Sequence, residues 1–329
     1  METVELQKHF FQFLKSKIPD HVSFVEEIAD LLEISTDSSY RRIRGEKPIS
    51  FEEIQKLCRK FQISIDQILS LDTNSTVFYG QWLNSENFDF EKYLKDMHLQ
   101  LATILGADSK IMYYEAKDIP PFHHFQFTEL ANFKYFFWMK TILSYPDFSK
   151  THYEESNLKE PITKTGSEII KTYIKIPSVE IWSDETINST IHQIEFYKDS
   201  GIFRKKESIE VIYRDLLSLV NHIEQQAETG VKFLHGQSPN GNEENFNLYF
   251  NEVFLGHNTI LVDAGISKTV FINHGVLNYM ITRDKNFCDA TKKSFDNTMR
   301  KSSLISNVNE KERHRFFDLL RKKIEAKIN

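Results

Sequence analysis

The sequence predicts three regions in order: an all-α segment of five helices over 1–71, a mostly helical region over 88–230, and a C-terminal α+β region over 231–329. The last is expected to hold a small sheet and two closing helices, and a linker at 72–87 is expected to join the first two regions. Three observations carry this reading. Serine caps open a series of short amphipathic runs in the first seventy residues. The stretch "LDTNSTVFYGQWLNSEN" then turns polar and loses periodicity. After Gly230 the pattern changes again, to short apolar runs punctuated by Gly, Asn and Pro.

The helices of the first segment are placed by their starts. "SFVEEIADLL", "SFEEIQKLCRKF" and "SIDQIL" each pair a serine (Ser23, Ser50, Ser64) with Glu26, Glu53 or Gln67 in the fourth position. This is the pattern of a capping box, in which the hydroxyl accepts an orphan amide and the longer side chain reaches back to the serine amide. Val25, Ile28, Ala29 and Leu32 share one face, as do Ile54, Leu57 and Phe61. Val4, Leu6, Phe10, Phe13 and Leu14 form a further amphipathic run that stops before Pro19.

In the central region Phe90, Tyr93, Leu94, Met97 and Leu101 mark a helix, and "ESIEVIYRDLLSLVNHIEQQ" marks a long one. A single strand, "KIMYYEA", is expected between them. Phe133 and Tyr135–Trp138 cover every face of one helix, which is therefore expected in the core or around an aromatic pocket. Further on, "VKFLHG", "NFNLYFNE", "NTILVDAG" and "KTVFIN" are expected strands, and Asn240-Gly241 is a turn signal. In the last helix Phe317, Leu320, Ile324 and Ile328 lie on one side.

Composition bounds the function. At 329 residues with 40% apolar content the chain can bury a sizeable core, and it is expected to fold as more than one domain. The formal charge of −6 offers no overall attraction to nucleic acid or anionic lipid, so such binding requires a local patch. Cys58 and Cys288 match no metal or redox spacing and read as small buried hydrophobes in a reducing compartment. No apolar run approaches a membrane span, and "METVELQKHF" lacks the apolar core of a signal peptide, so a cytoplasmic location without membrane contact is expected. No metal or cofactor is expected.

The local patch is "ISTDSSYRRIRGEKPIS". Alone, such a run is usually a solvated helix face; its setting argues otherwise. A helix-turn-helix reader needs one helix to brace a second across a tight turn, so that the second reaches base edges in the major groove. "VEEIADLLEISTDSSYRRIRGEKPISFEEIQKLCRKFQISIDQIL" provides this, with Ala29 allowing close approach and Ile34, Tyr40 and Ile43 expected as anchors. The segment resembles the lambda-repressor-like (XRE-type) DNA-binding domain in its five-helix plan, its "IADLL-x-IS" signature and its closing "ISIDQIL" helix. It departs from that pattern at Glu33, where the family usually has glycine, and in the one-residue displacement of Tyr40 and Ile43.

The resemblance implies a transcription regulator on double-stranded DNA, acting as a homodimer on two half-sites about one helical turn apart. Aligned on the anchors, Asp37, Ser38 and Arg42 would face bases, with Arg42 the strongest candidate because arginine can bond both acceptors of guanine. Thr36 would lie near a phosphate, and Arg41, Arg44 and Lys47 would contact the backbone. Residues 1–72 hold ten Lys and Arg against thirteen Asp and Glu, so a single copy is expected to bind weakly.

Chemistry is not expected of the remainder. There is no phosphate loop, G-x-S-x-G or H-E-x-x-H. His123 and His124 are adjacent and lack the spacing of a metal pair, and His257, Asp263 and His274 are scattered. Between Arg283 and Asn329 thirteen Lys and Arg face seven Asp and Glu, a surplus that charged outer helix faces explain. The downstream regions are thus read as dimerising and as sensing a small-molecule or protein effector. The alternatives are an enzyme or defence effector carrying a DNA-binding module for autoregulation, and an interaction scaffold.

Overall fold

The computed structural model describes residues 3–19, 21–65, 75–80, 89–154, 160–239, 244–253 and 255–328. The chain forms two compact units, residues 1–77 and 78–329. The expected fifth helix, the linker centre with Trp82 and the Asn240-Gly241 turn lie outside the described residues.

The first unit contains α1 (Thr3–Lys15), α2 (Phe24–Leu32), α3 (Thr36–Ile43) and α4 (Phe51–Phe61). Phe10, Phe11 and Leu14 of α1 close over Ile28, Leu32 and Leu57, with Ile34, Ile43, Ile49 and Phe61 packed around them. The apolar faces read from sequence supply most of this core, but Val4 is exposed, and Phe11, which was not read as part of the α1 face, is buried. The capping box of α4 is complete: Ser50 Oγ accepts the Glu53 amide at 3.2 Å and Glu53 Oε2 accepts the Ser50 amide at 2.9 Å. The one expected at Ser23 is not formed, because its side chain makes no cap bond although its backbone is extended.

The second unit is built on an eight-stranded mixed sheet in the order β1-β7-β6-β5-β2-β3-β4-β8. Its strands are β1 (Tyr79–Gly80), β2 (Ile111–Ala116), β3 (Ser178–Trp182), β4 (Phe246–Phe250), β5 (Thr259–Asp263), β6 (Lys268–Asn273), β7 (Tyr279–Thr282) and β8 (Ser303–Leu304). The pairs β2/β3 and β3/β4 are parallel, and the other five are antiparallel. Parallel neighbours need long crossovers. Here these are α6 (Pro121–His124), α7 (Thr128–Phe137) and α8 (Glu160–Tyr173) between β2 and β3, then α9 (Asn188–Asp199) and α10 (Lys206–Thr229) between β3 and β4.

An additional helix, α5 (Phe90–Leu105), precedes β2, while α11 (Lys285–Arg300) and α12 (Glu310–Ile328) close the unit. Alternate strand residues divide between the two faces of the sheet. Met112, Tyr114, Trp182, Leu248 and Val262 join the large aromatic core, whereas Ile181, Leu261 and Val270 pack with Cys288 and Phe295 of α11. Phe133 and Tyr135–Trp138 are all buried in the large core, and α7 continues into a wider π turn over Trp138–Ile142.

Two expectations change. Position 230 does not divide two bodies, since β2 and β3 from before it lie beside β4 and β5 from after it. β3 is missing from the sequence reading because "SVEIW" is short, and the polar Ser178 and Glu180 that alternate along it are buried like their apolar neighbours. "VKFLHG" is not a strand; its chain leaves α10 as a loop, in which the Lys232 amide is taken by Asn245 Oδ1 at 2.9 Å.

Candidate nucleic-acid interface

Helices α2 and α3 are joined by the three residues Glu33, Ile34 and Ser35, the length of a helix-turn-helix connection. Glu33 adopts φ 57°, ψ 45°, the left-handed conformation that glycine adopts without steric cost. Ser35 caps α3 by accepting the Ser38 amide at 3.2 Å. Where the helices cross, buried Ala29 and Ser39 permit close approach, and Ser39 Oγ donates to the Val25 carbonyl at 3.0 Å.

The far end of α3 is held by Gln7 of α1. Its Nε2 donates to the carbonyls of Arg42 (2.7 Å) and Lys47 (2.8 Å), and its Oε1 accepts the Ile49 amide at 3.2 Å. One amide side chain thus satisfies both sides of the loop between α3 and α4. Gly45, at φ 74°, lies in this loop, and a Cβ there would come within 2.8 Å of Val4 Cγ1.

Arg42 faces inward. Its Nη2 lies 2.6 Å from Glu53 Oε1, its Nε donates to Glu53 Oε2 at 3.0 Å, and its Nη1 donates to the Ser38 carbonyl at 3.2 Å. The residue is 6% exposed. Burial pushes the Glu53 carboxyl up, but the Arg42 guanidinium and the Ser50 amide outweigh it and hold the carboxyl below its usual range. Arg42, expected at the bases, is instead placed with its fork on the half-buried Glu53 carboxylate, where it braces α3 against α4.

The outward stripe is Thr36, Asp37, Tyr40, Arg41 and Arg44, all exposed, with Lys47 just beyond it. Their spacing of three and four residues places them on one helix face. Tyr40, expected as an anchor, is 47% exposed, and the Arg44 guanidinium lies over its ring at 5.5 Å. Ser38 is half-buried and its hydroxyl accepts from Ser35 Oγ at 3.1 Å, which leaves it at the margin of the stripe. The Arg41 side chain meets no partner among the described residues. An eight-residue helix is about 12 Å long, comparable to the width of the major groove of B-DNA.

The sequence reading missed Gln7 and the second role of Glu53. Both act across long separations in sequence, so no local periodicity signals them. The cap at Ser50 did mark Glu53 as a residue with fixed geometry.

In the second unit, the buried Glu180 accepts hydrogen bonds from His123 Nε2 (3.0 Å), Trp182 Nε1 (2.8 Å) and the Tyr173 hydroxyl. Burial raises the Glu180 carboxyl, yet His123 and Tyr173 bring it below its usual range. Lys232, also buried, donates to the carbonyls of Tyr173 and Ile176. No group of three or more His, Cys, Asp or Glu that could hold a metal occurs among the described residues.

His257, Asp263 and His274 are not brought together. In the β5/β6 register Asp263 opposes Lys268 at one end of the hairpin, whereas the two histidines lie near the other end. Several bases of the C-terminal helices are paired within the unit: Arg321 pairs with Glu224 and Asp318, Arg315 with Glu252 and Glu312, and Lys323 with Asp184. Among the described residues no helix is long and apolar enough to cross a membrane.

The sequence model of the BetR domain, a helix-turn-helix-type DNA-binding domain, matches residues 15–85, about a fifth of the chain. No curated protein and no solved structure matches the chain.

Proposed function

We infer that the protein is a sequence-specific DNA-binding transcription regulator of the XRE type, whose second unit dimerises the chain and senses an effector. The observation that carries this reading is the two-sided character of α3. Ser39 and Arg42 fix its inner face to α2 and α4, which leaves Thr36, Asp37, Tyr40, Arg41 and Arg44 together on the outer face. A helix held this rigidly, with two arginines outward, is what major-groove reading requires.

Within this reading Arg41 replaces Arg42 as the candidate for bidentate guanine recognition. Thr36 and Asp37, in the first turn, are nearest to base edges, and Arg44 and Lys47 neutralise phosphates. The reading requires no catalysis, cofactor or membrane, and it places the protein in the cytoplasm.

Selection of bound duplexes from random DNA by the full chain tests it. The expected result is an enriched motif with two-fold symmetry and half-sites about 10 base pairs apart. Failure to enrich any motif at low salt would exclude sequence-specific binding.

A further inference from the structure

The second unit contains a cavity of about 460 Å³ between α5 and the sheet face formed by β1, β7, β6, β5 and β2. This is several times the roughly 150 Å³ of a cavity that holds benzene, and it falls within the range of small-molecule sites. Met97, Leu101 and Ile104 form its α5 wall, opposite Met112, Val262 and Phe271 of the sheet. Five aromatic rings line it, those of Tyr79, Tyr93, Phe122, Phe271 and Tyr279. The Tyr279 hydroxyl is engaged with that of Tyr114 at 3.3 Å, and burial holds the Tyr93 and Tyr279 phenols in their neutral form.

Against these neutral walls stands one formal charge. Asp96 is the only Asp, Glu, Lys, Arg or His among the described lining residues. It is half-buried, beside exposed Leu99 and Gln100 at the mouth of the cavity. No hydrogen bond or ion pair engages its carboxylate among the described residues. Lys95, its neighbour in sequence, is held by Glu91 at 2.6 Å, and Lys92, one turn earlier, forms no pair with it. A carboxylate at the edge of an aromatic cavity repels anions and is left uncompensated by a neutral guest. A guest with one positive charge satisfies it, and the aromatic faces add cation–π attraction.

We propose that this cavity is the effector site and that its ligand class is an apolar organic monocation, with its body against the aromatic and aliphatic walls and its charge balanced by Asp96. The proposal deepens the effector part of the function inferred above. Because occupancy is measured without DNA, it can fail while DNA recognition stands, and the reverse.

Tetraphenylphosphonium and tetraphenylborate have the same shape and opposite charge, and benzyltriethylammonium is a smaller cation. Titration calorimetry of the full chain is expected to show saturable, equimolar binding of at least one of the cations and none of the anion. Asp96→Asn is expected to weaken cation binding tenfold or more at an unchanged thermal midpoint, and Met97→Trp, which narrows the cavity at its α5 wall, to weaken it as well. Equal affinity for the two tetraphenyl ions, cation binding indifferent to Asp96→Asn, or no saturable binding of either cation would each overturn the proposal.

Discussion

At the scale of single residues, the division of labour between two adjacent arginines is set by the phase of α3. Arg42 lies against Glu53 and Arg41 points to solvent, although composition alone treats them as equivalent. Removing Arg42 leaves the half-buried Glu53 carboxylate with the Ser50 amide alone, so Arg42→Ala is expected to destabilise the first unit by about 1 to 3 kcal/mol. Arg41→Ala should leave its stability within about 0.5 kcal/mol. A double-mutant cycle over Arg42 and Glu53, followed by urea unfolding, measures the coupling. Values near zero would show that the pair contributes nothing to the brace. Glu33 supplies a second prediction. Its left-handed backbone costs roughly 1 kcal/mol for a residue with a Cβ, so Glu33→Gly is expected to raise stability by up to about that amount. Its ion pair with Lys56, exposed and 3.8 Å long, offers little to lose. A lowered unfolding midpoint in that variant would contradict the strain argument.

At the scale of elements, α3 is held in position from three sides: Ser39 on α2, Gln7 from α1 and Glu53 from α4. Gln7→Ala would leave the Ile49 amide and the Lys47 carbonyl without this partner and the Arg42 carbonyl with the Gly45 amide alone, at a cost of about 1 to 3 kcal/mol. Faster hydrogen exchange confined to residues 42–50 is the expected signature, and unchanged exchange there would refute the clamp. Much of this was legible beforehand. The serine caps and apolar faces located α2 and α4, and the β-branched and aromatic runs located β2, β4, β5 and β6. What was not legible depended on contacts between distant residues. Tyr40, expected as an anchor, is exposed and Ser39 is buried in its place, because a one-residue phase is decided by what α2 and α4 present to α3. β3 was missed because it is a short strand with Ser178 and Glu180 in it, and Glu180 looks like a surface residue until its partners His123, Tyr173 and Trp182 are seen.

At the scale of the whole molecule, the second unit is a mixed sheet covered on both faces, and it carries buried ionisable groups whose state responds to pH. Burial pushes His222, whose Nε2 donates to the Phe233 carbonyl at 2.9 Å, down to about 4 from an ordinary 6.5. Between those values the unfolded chain holds a proton that the folded unit does not. Stability is therefore fully present above pH 6.5 and is lost as pH falls towards 4. Thermal melts of the full chain are expected to show the second transition falling over this window, less so in His222→Gln; the same slope in both would remove His222 as the cause.

The central claim is that the outer face of α3 contacts DNA phosphates and bases. Its most direct test is the salt dependence of duplex affinity for the full chain and for Arg44→Ala. The account predicts that the logarithm of affinity falls steeply and linearly with that of salt concentration, and that the variant's slope is shallower by about one per copy bound. A flat dependence, or the same slope in both proteins, would contradict it.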